Sequence, residues 1–533
     1  MQRKDTQLAW FARAQSNRVS RRQFMQSVAG TAGVMAAAPI SRAFGAEEGE
    51  SKIIVAYAAN VYQLDPHVND FMVTESVLRN MYECLLVPSA DLKSLEPQLA
   101  TEWKRINDLT TQFKLRQNVK FHNGEEFDAE AVKFSIHRML DPKTGALLLS
   151  TFNIIDHVDV VDKYTVNVVT KKPDPVLLRR MSILHTIIVP PKYFSTARKE
   201  DLASKPVGTG PYKFVSWVKD GDLVMEANPN YWGGAPKVQK VIVRGIPETG
   251  TRVSALLARD VDIITAVPPD DIDRINKSGR AKAIAVPGNR IVEYRFDVSA
   301  PPTNNKLVRQ AMNYGANIDG IIKTVLVGRG YRRATVLNPW HVGFDPDIKP
   351  FPYDPEKAKA LLREAGYPNG FEITLHQVQG RVPKDKEFGE AMAGELAKIG
   401  IKVRMRVTDM GTYATAGAAG KLDGFMFGSW GNLMQDADFM FSGIMHSSTV
   451  TSKGYRRGYK NARLDSITEE AAASMDEKKR NQLYSEAQKI LMDDCPDLYT
   501  YALEDIYGIS DRIEWTPRTD EYLFHKDVAI VKK

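Results

Sequence analysis

Apolar positions along the chain switch between a period of two and a period near 3.6, and the switching predicts mixed α and β structure. Residues 52–58 (KIIVAYA) form a short continuous apolar run of the kind a buried strand shows, and residues 74–86 carry Val77, Leu78, Met81 and Leu85 on one helical face. Residues 111–116 alternate as a strand. Residues 119–127 bracket Asn123-Gly124, a two-residue hairpin turn whose positions both tolerate positive φ. Asp128 then caps a helix reaching Leu140, which Asp141-Pro142 stops. A strand-rich block follows Pro206, with strands at 212–218, 222–227 and 238–246 and a turn at Asp220-Gly221. The helix expected at 251–259 hands over to a short strand at 261–265. Asp354-Pro355 opens a helix that Gly366 closes, and residues 387–399 and 479–492 give two further amphipathic helices. The absence of short repeats removes solenoid and fibrous classes.

At 533 residues and 43% apolar, the chain exceeds what one core supports, so two or more lobes are expected. Residues 1–46 read as an export signal. Ser20-Arg21-Arg22-Gln23-Phe24-Met25 is a twin-arginine pattern, the Ala/Gly-rich stretch from Ser27 to Ile40 is too short to span a bilayer well, and cleavage is expected after Gly45 or Ala46. This segment holds seven basic side chains against Asp5 alone. Taking them from the 72 basic and 65 acidic side chains leaves 65 against 64, so the pI near 9.0 belongs to the precursor. A mature chain near neutrality carries no field for nucleic acid or anionic membrane. No cysteine precedes Cys84, so none is near the signal for lipidation. Cys84 and Cys495 either form one disulfide or remain two buried thiols. No later run of about 18 apolar residues appears, so the mature protein is expected to be soluble and periplasmic.

The chain contains no phosphate loop, no His-Glu-x-x-His pair, no Gly-x-Ser-x-Gly elbow and no Cys-x-x-Cys pair, which removes the usual supports of nucleotide, metal and serine hydrolysis. Gly208-Thr209-Gly210 is half a dinucleotide fingerprint, but Pro211 follows at once and the reading is a tight turn. The nine histidines are scattered, so no metal and no cofactor is expected. Asp436 and Asp438 are candidate paired carboxylates for acid-base work. The GSWGN loop before them, with Trp430 and Asn432, reads equally as a ligand rim.

Several ordered segments together resemble the peptide, nickel and opine type of extracytoplasmic solute-binding protein, family 5, that serves ATP-binding-cassette importers. They include LDPH at 64–67, LEPQLATEW at 95–103, FKLRQNVKFHNGEEFDAEAVKFS at 113–135, PVGTGPYKF at 206–214, NPNYWGGAPKV at 228–238, VRQAMNYGANIDGII at 308–322, DPEKAKALLREAGY at 354–367 and ELAKIGIKV at 395–403. The resemblance implies an α/β, two-lobed periplasmic-binding-protein clamp (type II, large cluster) with an extra subdomain. The divisions expected are a first lobe of 47–88, 206–290 and 498–533, a subdomain of 89–205 and a second lobe of 291–497.

The resemblance also implies a monomer that works by binding, not by catalysis, and delivers a small organic ligand to a permease in the inner membrane. In the dipeptide-binding members a cleft arginine pairs with the ligand carboxylate, and Arg381 in VQGRVPKDKE stands at the matching position. The same members hold the ligand ammonium with an aspartate three residues after a tryptophan. Here Trp430 is followed by Leu433, which cannot neutralise a desolvated ammonium. The ligand expected is therefore acidic at one end, with an opposite end that is neutral or differently placed, peptide-like or opine-like. Tyr62 and Trp430 are the expected cleft aromatics, with Asn432, Leu433 and Asp436 beside them. A hydrolase using Asp436 or Asp438, and a binding protein serving a chemoreceptor, are the alternatives from other classes.

Overall fold

The computed structural model describes residues 51–531 apart from 70, 147–148 and 450–453. The twin-arginine segment and its cleavage site lie outside the described residues.

An eleven-stranded mixed sheet organises the molecule. Its strands are β1 (Lys52–Tyr57), β6 (Tyr212–Trp217), β7 (Leu223–Ala227), β8 (Lys240–Gly245), β9 (Ile263–Ile264), β10 (Ala281–Phe296), β11 (Gly330–Arg332), β12 (Phe371–Val378), β13 (Ile401–Thr408), β14 (Phe425–Gly431) and β15 (Asp497–Ser510). The order is β13-β12-β14-β10-β15-β9-β1-β8-β7-β6, with β11 paired on β15. β1 runs parallel to β8 and β9, and Ile53, Val55, Ala56 and Tyr57 are buried, with neighbours on both faces of the sheet, which is why the strand reads as a continuous apolar run.

The sixteen-residue β10 and fourteen-residue β15 are antiparallel partners along nearly their whole length. Their register shifts between Pro287 and Ile291. Before the shift β10 faces residues 504–510 of β15, the stretch that also pairs with β9; after it, β10 faces residues 497–502 and takes β14 as its other neighbour. The first half of β15 thus lies beside the stretch of β10 that pairs with β14. Separate apolar cores serve the two halves. Ile53, Val55, Val241 and Ile509 belong to one, and Tyr294, Phe388, Leu375 and Phe425 to the other.

A four-stranded antiparallel sheet, β2 (Ala100–Asn107), β3 (Thr110–Leu115), β4 (Ile155–Asp162) and β5 (Thr165–Thr170), forms with helix α2 (Ala129–Leu140) the core of the subdomain, around Phe113, Val132, Ile136 and Val166. Asp128 caps α2 by accepting from the backbone N–H groups of Glu130 and Ala131. The expected two-residue hairpin is a different turn. Only Gly124 has positive φ, the Gly124 amide donates to the Phe121 carbonyl at 2.9 Å, and a single bridge joins Lys120 to Glu126.

Helix α1 (Met72–Leu78) is shorter than the apolar pattern of 74–86 predicts. Asn80 and Met81 instead use their carbonyls outside the helix, Asn80 accepting from Tyr212 N–H and Met81 from Gly210 N–H, both at 2.9 Å. Gly208 makes this approach possible, since a Cβ there would lie 2.2 Å from the Met81 carbonyl oxygen. The adjoining Glu83 is buried and accepts from Thr209 Oγ1 (2.8 Å), Tyr231 Oη (2.8 Å) and Trp232 Nε1 (2.9 Å). One carboxylate thereby ties the PVGTG and NPNYW segments to the end of α1. Cys84 and Cys495 are both buried free thiols and form no disulfide.

Candidate ligand-binding cleft

Two chambers of about 310 and 370 Å³ share Phe71, Met72, Arg290, Arg381 and Met410, and so form one continuous cleft. The first is bounded by β14 and by α6 (Met410–Ala418); the second by the ends of β1 and β9 and the middle of β15. The cleft therefore crosses the line where β10 changes partners.

Arg381 reaches both chambers from the loop between β12 and α5 (Asp385–Ala397). The loop is wound around Asp385, whose carboxylate accepts from the backbone N–H groups of Gly380 (3.1 Å), Arg381 (2.7 Å) and Val382 (3.2 Å). Burial raises the Asp385 carboxyl above its ordinary range against the pull of these donors. Lys384, in left-handed conformation, ties the same loop by an ion pair to Asp270 on the far side of the sheet from β14. The backbone of the loop is fixed while the Arg381 side chain stays exposed.

Trp430 and Leu433 line the first chamber. Leu433 also packs against the apolar core of the subdomain, so it closes that side of the chamber with hydrocarbon. Tyr62 is 49% exposed and does not line either chamber; its ring sits 5.6 Å from that of Phe71, which lines both.

Asn432 and Asp436 are brought elsewhere, and their expected place on the ligand rim is corrected. Asn432 is buried, donating to the Asp436 carbonyl (2.9 Å) and accepting from the Met434 amide (3.1 Å). Asp436 caps the short helix α7 (Ala437–Met440) and is gripped by two nitrogens of Arg480, at 2.7 and 3.2 Å. Its neighbour Asp438 pairs with Arg180 at 3.2 Å and accepts from Ser442 Oγ at 2.6 Å. Both carboxylates are spent on internal partners and neither lines the two chambers.

Electrostatically the chambers differ. In the first, Arg290, Arg295 and Arg381 stand against Glu75, which is already engaged by Arg79 and Tyr522. In the second, Asp505 and Glu521 face Arg290, whose guanidinium lies 3.5 Å from Glu521. Burial first, and then the charge of Glu521, hold the Asp505 carboxyl well above the usual carboxylate range. Arg290, Arg295, Asp505 and Glu521 were not singled out from the sequence. They lie on β10, on β15 and in the C-terminal tail, and only the sheet order brings them together. Among the described residues no group of His, Cys, Asp and Glu is arranged to hold a metal.

A family model described as bacterial extracellular solute-binding proteins, family 5 Middle, matches residues 94–452. Heme-binding protein A of Haemophilus influenzae is 30% identical over 427 residues, covering 75% of this chain and 78% of that protein. Glutathione-binding protein GsiB of Pectobacterium atrosepticum is 28% identical over 475 residues, covering 88% and 91%. Among solved structures, the periplasmic binding protein DppA from Helicobacter pylori in complex with the peptide STSA is similar with a TM-score of 0.79 and 27% identity, covering 91% of this chain and 98% of that one.

Proposed function

Because the chain belongs to family 5 of the bacterial extracellular solute-binding proteins, we propose that it is the periplasmic binding component of an ATP-binding-cassette importer whose cargo is a peptide-like or opine-like organic acid. The single observation that carries this reading is the two-chambered cleft lying across the partner change of β10, with Arg381 reaching both chambers from a loop whose backbone is pinned. A guanidinium offers a planar fork of donors suited to a carboxylate, and a solute that touches both sides of the cleft favours the closed form to the extent that it binds that form better. Leu433 puts hydrocarbon where an ammonium would need a carboxylate, which argues for a cargo without a free amino terminus there.

Export through the twin-arginine machinery, guided by Arg21 and Arg22, followed by action as a cofactor-free monomer, completes the proposal. Among the described residues no helix is long and apolar enough to cross a membrane. The hydrolase alternative loses its support because Asp436 and Asp438 are held by Arg480 and Arg180.

Native mass spectrometry of the mature protein purified from its host's periplasm tests the cargo. An acid without a free amino terminus is the result expected. A mixture of ordinary short peptides would overturn the assignment of Leu433.

A further inference from the structure

The floor of the first chamber holds a second arginine with unspent donors. Arg295 on β10 is 3% exposed. Its Nε donates to Glu293 at 3.1 Å, while its Nη2 is buried with no hydrogen-bond partner. Glu293 is shared, because Arg456 donates to the same oxygen at 3.1 Å and is itself paired with Asp497. Glu293 and Asp497 thus stand against two guanidiniums, and what Arg295 lacks is not a counter-charge but a hydrogen-bond partner for Nη2.

The surroundings are shaped for the guanidinium. Gly428, directly across from Glu293 in the β10–β14 pairing, leaves it room: a Cβ there would fall 2.6 Å from both Nε and Nη2 of Arg295. The rings of Trp430 and Tyr455 lie with centroids 5.1 and 5.7 Å from its Cζ. Two further buried donors of the same chamber also lack partners, Ser429 Oγ and Trp430 Nε1. Buried donors are almost always satisfied in folded proteins, and three unsatisfied ones around one chamber, with Arg295 and Trp430 on the same face of the paired β10 and β14 and Ser429 reaching it from the other face, call for an acceptor from outside the chain.

We propose that Arg295, Ser429 and Trp430 form a second carboxylate-binding subsite, so that the cargo is a dicarboxylic acid with one acidic group at Arg381 and another at Arg295. This rests on the solute-binding reading above and narrows its substrate class. The second group is an oxyanion that accepts from these donors. An apolar tail would leave them unpaired, and an ammonium would meet a guanidinium of like charge.

The test uses two peptide-like probes that differ by one carboxylate, N-succinyl-Ala-Ala and N-acetyl-Ala-Ala, titrated calorimetrically into the mature wild-type protein and into the Arg295→Lys, Ser429→Ala and Arg381→Ala variants. The wild type is expected to prefer the succinyl probe at least tenfold. R295K should erase most of that preference, because a lysine keeps the charge and loses the fork, and S429A should weaken the succinyl probe severalfold without disturbing the Glu293 pair. R381A should weaken both probes alike. Equal affinity for the two probes, or a preference unchanged in both R295K and S429A, overturns this subsite and leaves the Arg381 reading standing. A wild-type protein that takes up neither probe overturns both.

Discussion

Arg480 holds Asp436 through both oxygens, at 2.7 and 3.2 Å, with both side chains almost wholly out of solvent. Burial raises the Asp436 carboxyl above its ordinary range, with the arginine opposing part of the rise. Asp436→Ala leaves a buried guanidinium unpaired and is expected to destabilise the protein by about 3–5 kcal/mol. Solute affinity of the folded fraction should stay unchanged, because Asp436 does not line the cleft. Thermal unfolding paired with titration of the co-purified solute checks both halves, and lost affinity without lost stability would return Asp436 to the binding site.

Arg381→Ala is expected to have the opposite profile. The side chain is exposed and the loop is held by Asp385 through backbone groups, so the unfolding midpoint should barely move. Solute affinity should fall by about 1.5–3 kcal/mol, the range for a hydrogen bond to a charged group. Unaltered affinity would remove Arg381 from the cleft chemistry.

Leu433→Asp places a carboxylate three residues after Trp430. Dipeptides with a free amino terminus are expected to gain affinity by tenfold or more, about 1.4 kcal/mol. Stability should drop by about 1–3 kcal/mol, because the side chain also packs on the subdomain core and would bury a charge there. Calorimetric titration with alanyl-alanine reads the gain, and no gain would mean that the ammonium is met elsewhere.

Much of this architecture was legible in the sequence, and the failures have physical causes. Asp128, Asp354-Pro355 and Gly366 marked helix ends correctly because caps are local chemistry. The two longest strands escaped notice. β10 carries Pro287-Gly288 in its middle and β15 carries Glu504-Asp505, features that read as turns unless the partner strand is known. The helix through 74–86 failed for a related reason, since the 208–212 segment claims the carbonyls of Asn80 and Met81. At the cleft, Arg381, Trp430 and Leu433 all line the first chamber. Asp436 does not, because it is held by Arg480, which is distant in sequence, and Asn432 does not, because its side chain is taken up by the backbone of Met434 and Asp436.

Acid should act through His122, whose burial pushes it down to about 4. Its Nδ1 accepts from the Gly208 amide at 3.3 Å and its Nε2 donates to the Gly210 carbonyl at 3.0 Å, so the fold uses the neutral ring. The unfolded ring titrates near about 6.5 and binds a proton that the folded ring refuses. The stability it contributes is therefore complete above about pH 6.5 and is lost as the pH falls towards 4. In His122→Gln this loss is absent, so between about pH 7 and about pH 5 the variant should lose roughly 2 kcal/mol less stability than the wild type, other groups cancelling in the comparison. Denaturant titrations at the two pH values measure the difference, and parallel losses would show that the folded ring takes up its proton as readily as the unfolded one.

The paired strands β10 and β15 pass unbroken through both halves of the great sheet, with their register shift at Pro287 to Ile291. Two hydrogen-bonded ribbons that serve both jaws forbid the jaws from sliding past one another, since sliding would break the ladder on either side at once. What the ribbons permit cheaply is flexure and twist at the irregular stretch, where the ladder is already interrupted. Any opening of the mouth about this stretch is therefore that of a book, and such a mouth gauges a molecule by its thickness between the pages more strictly than by its length along the spine.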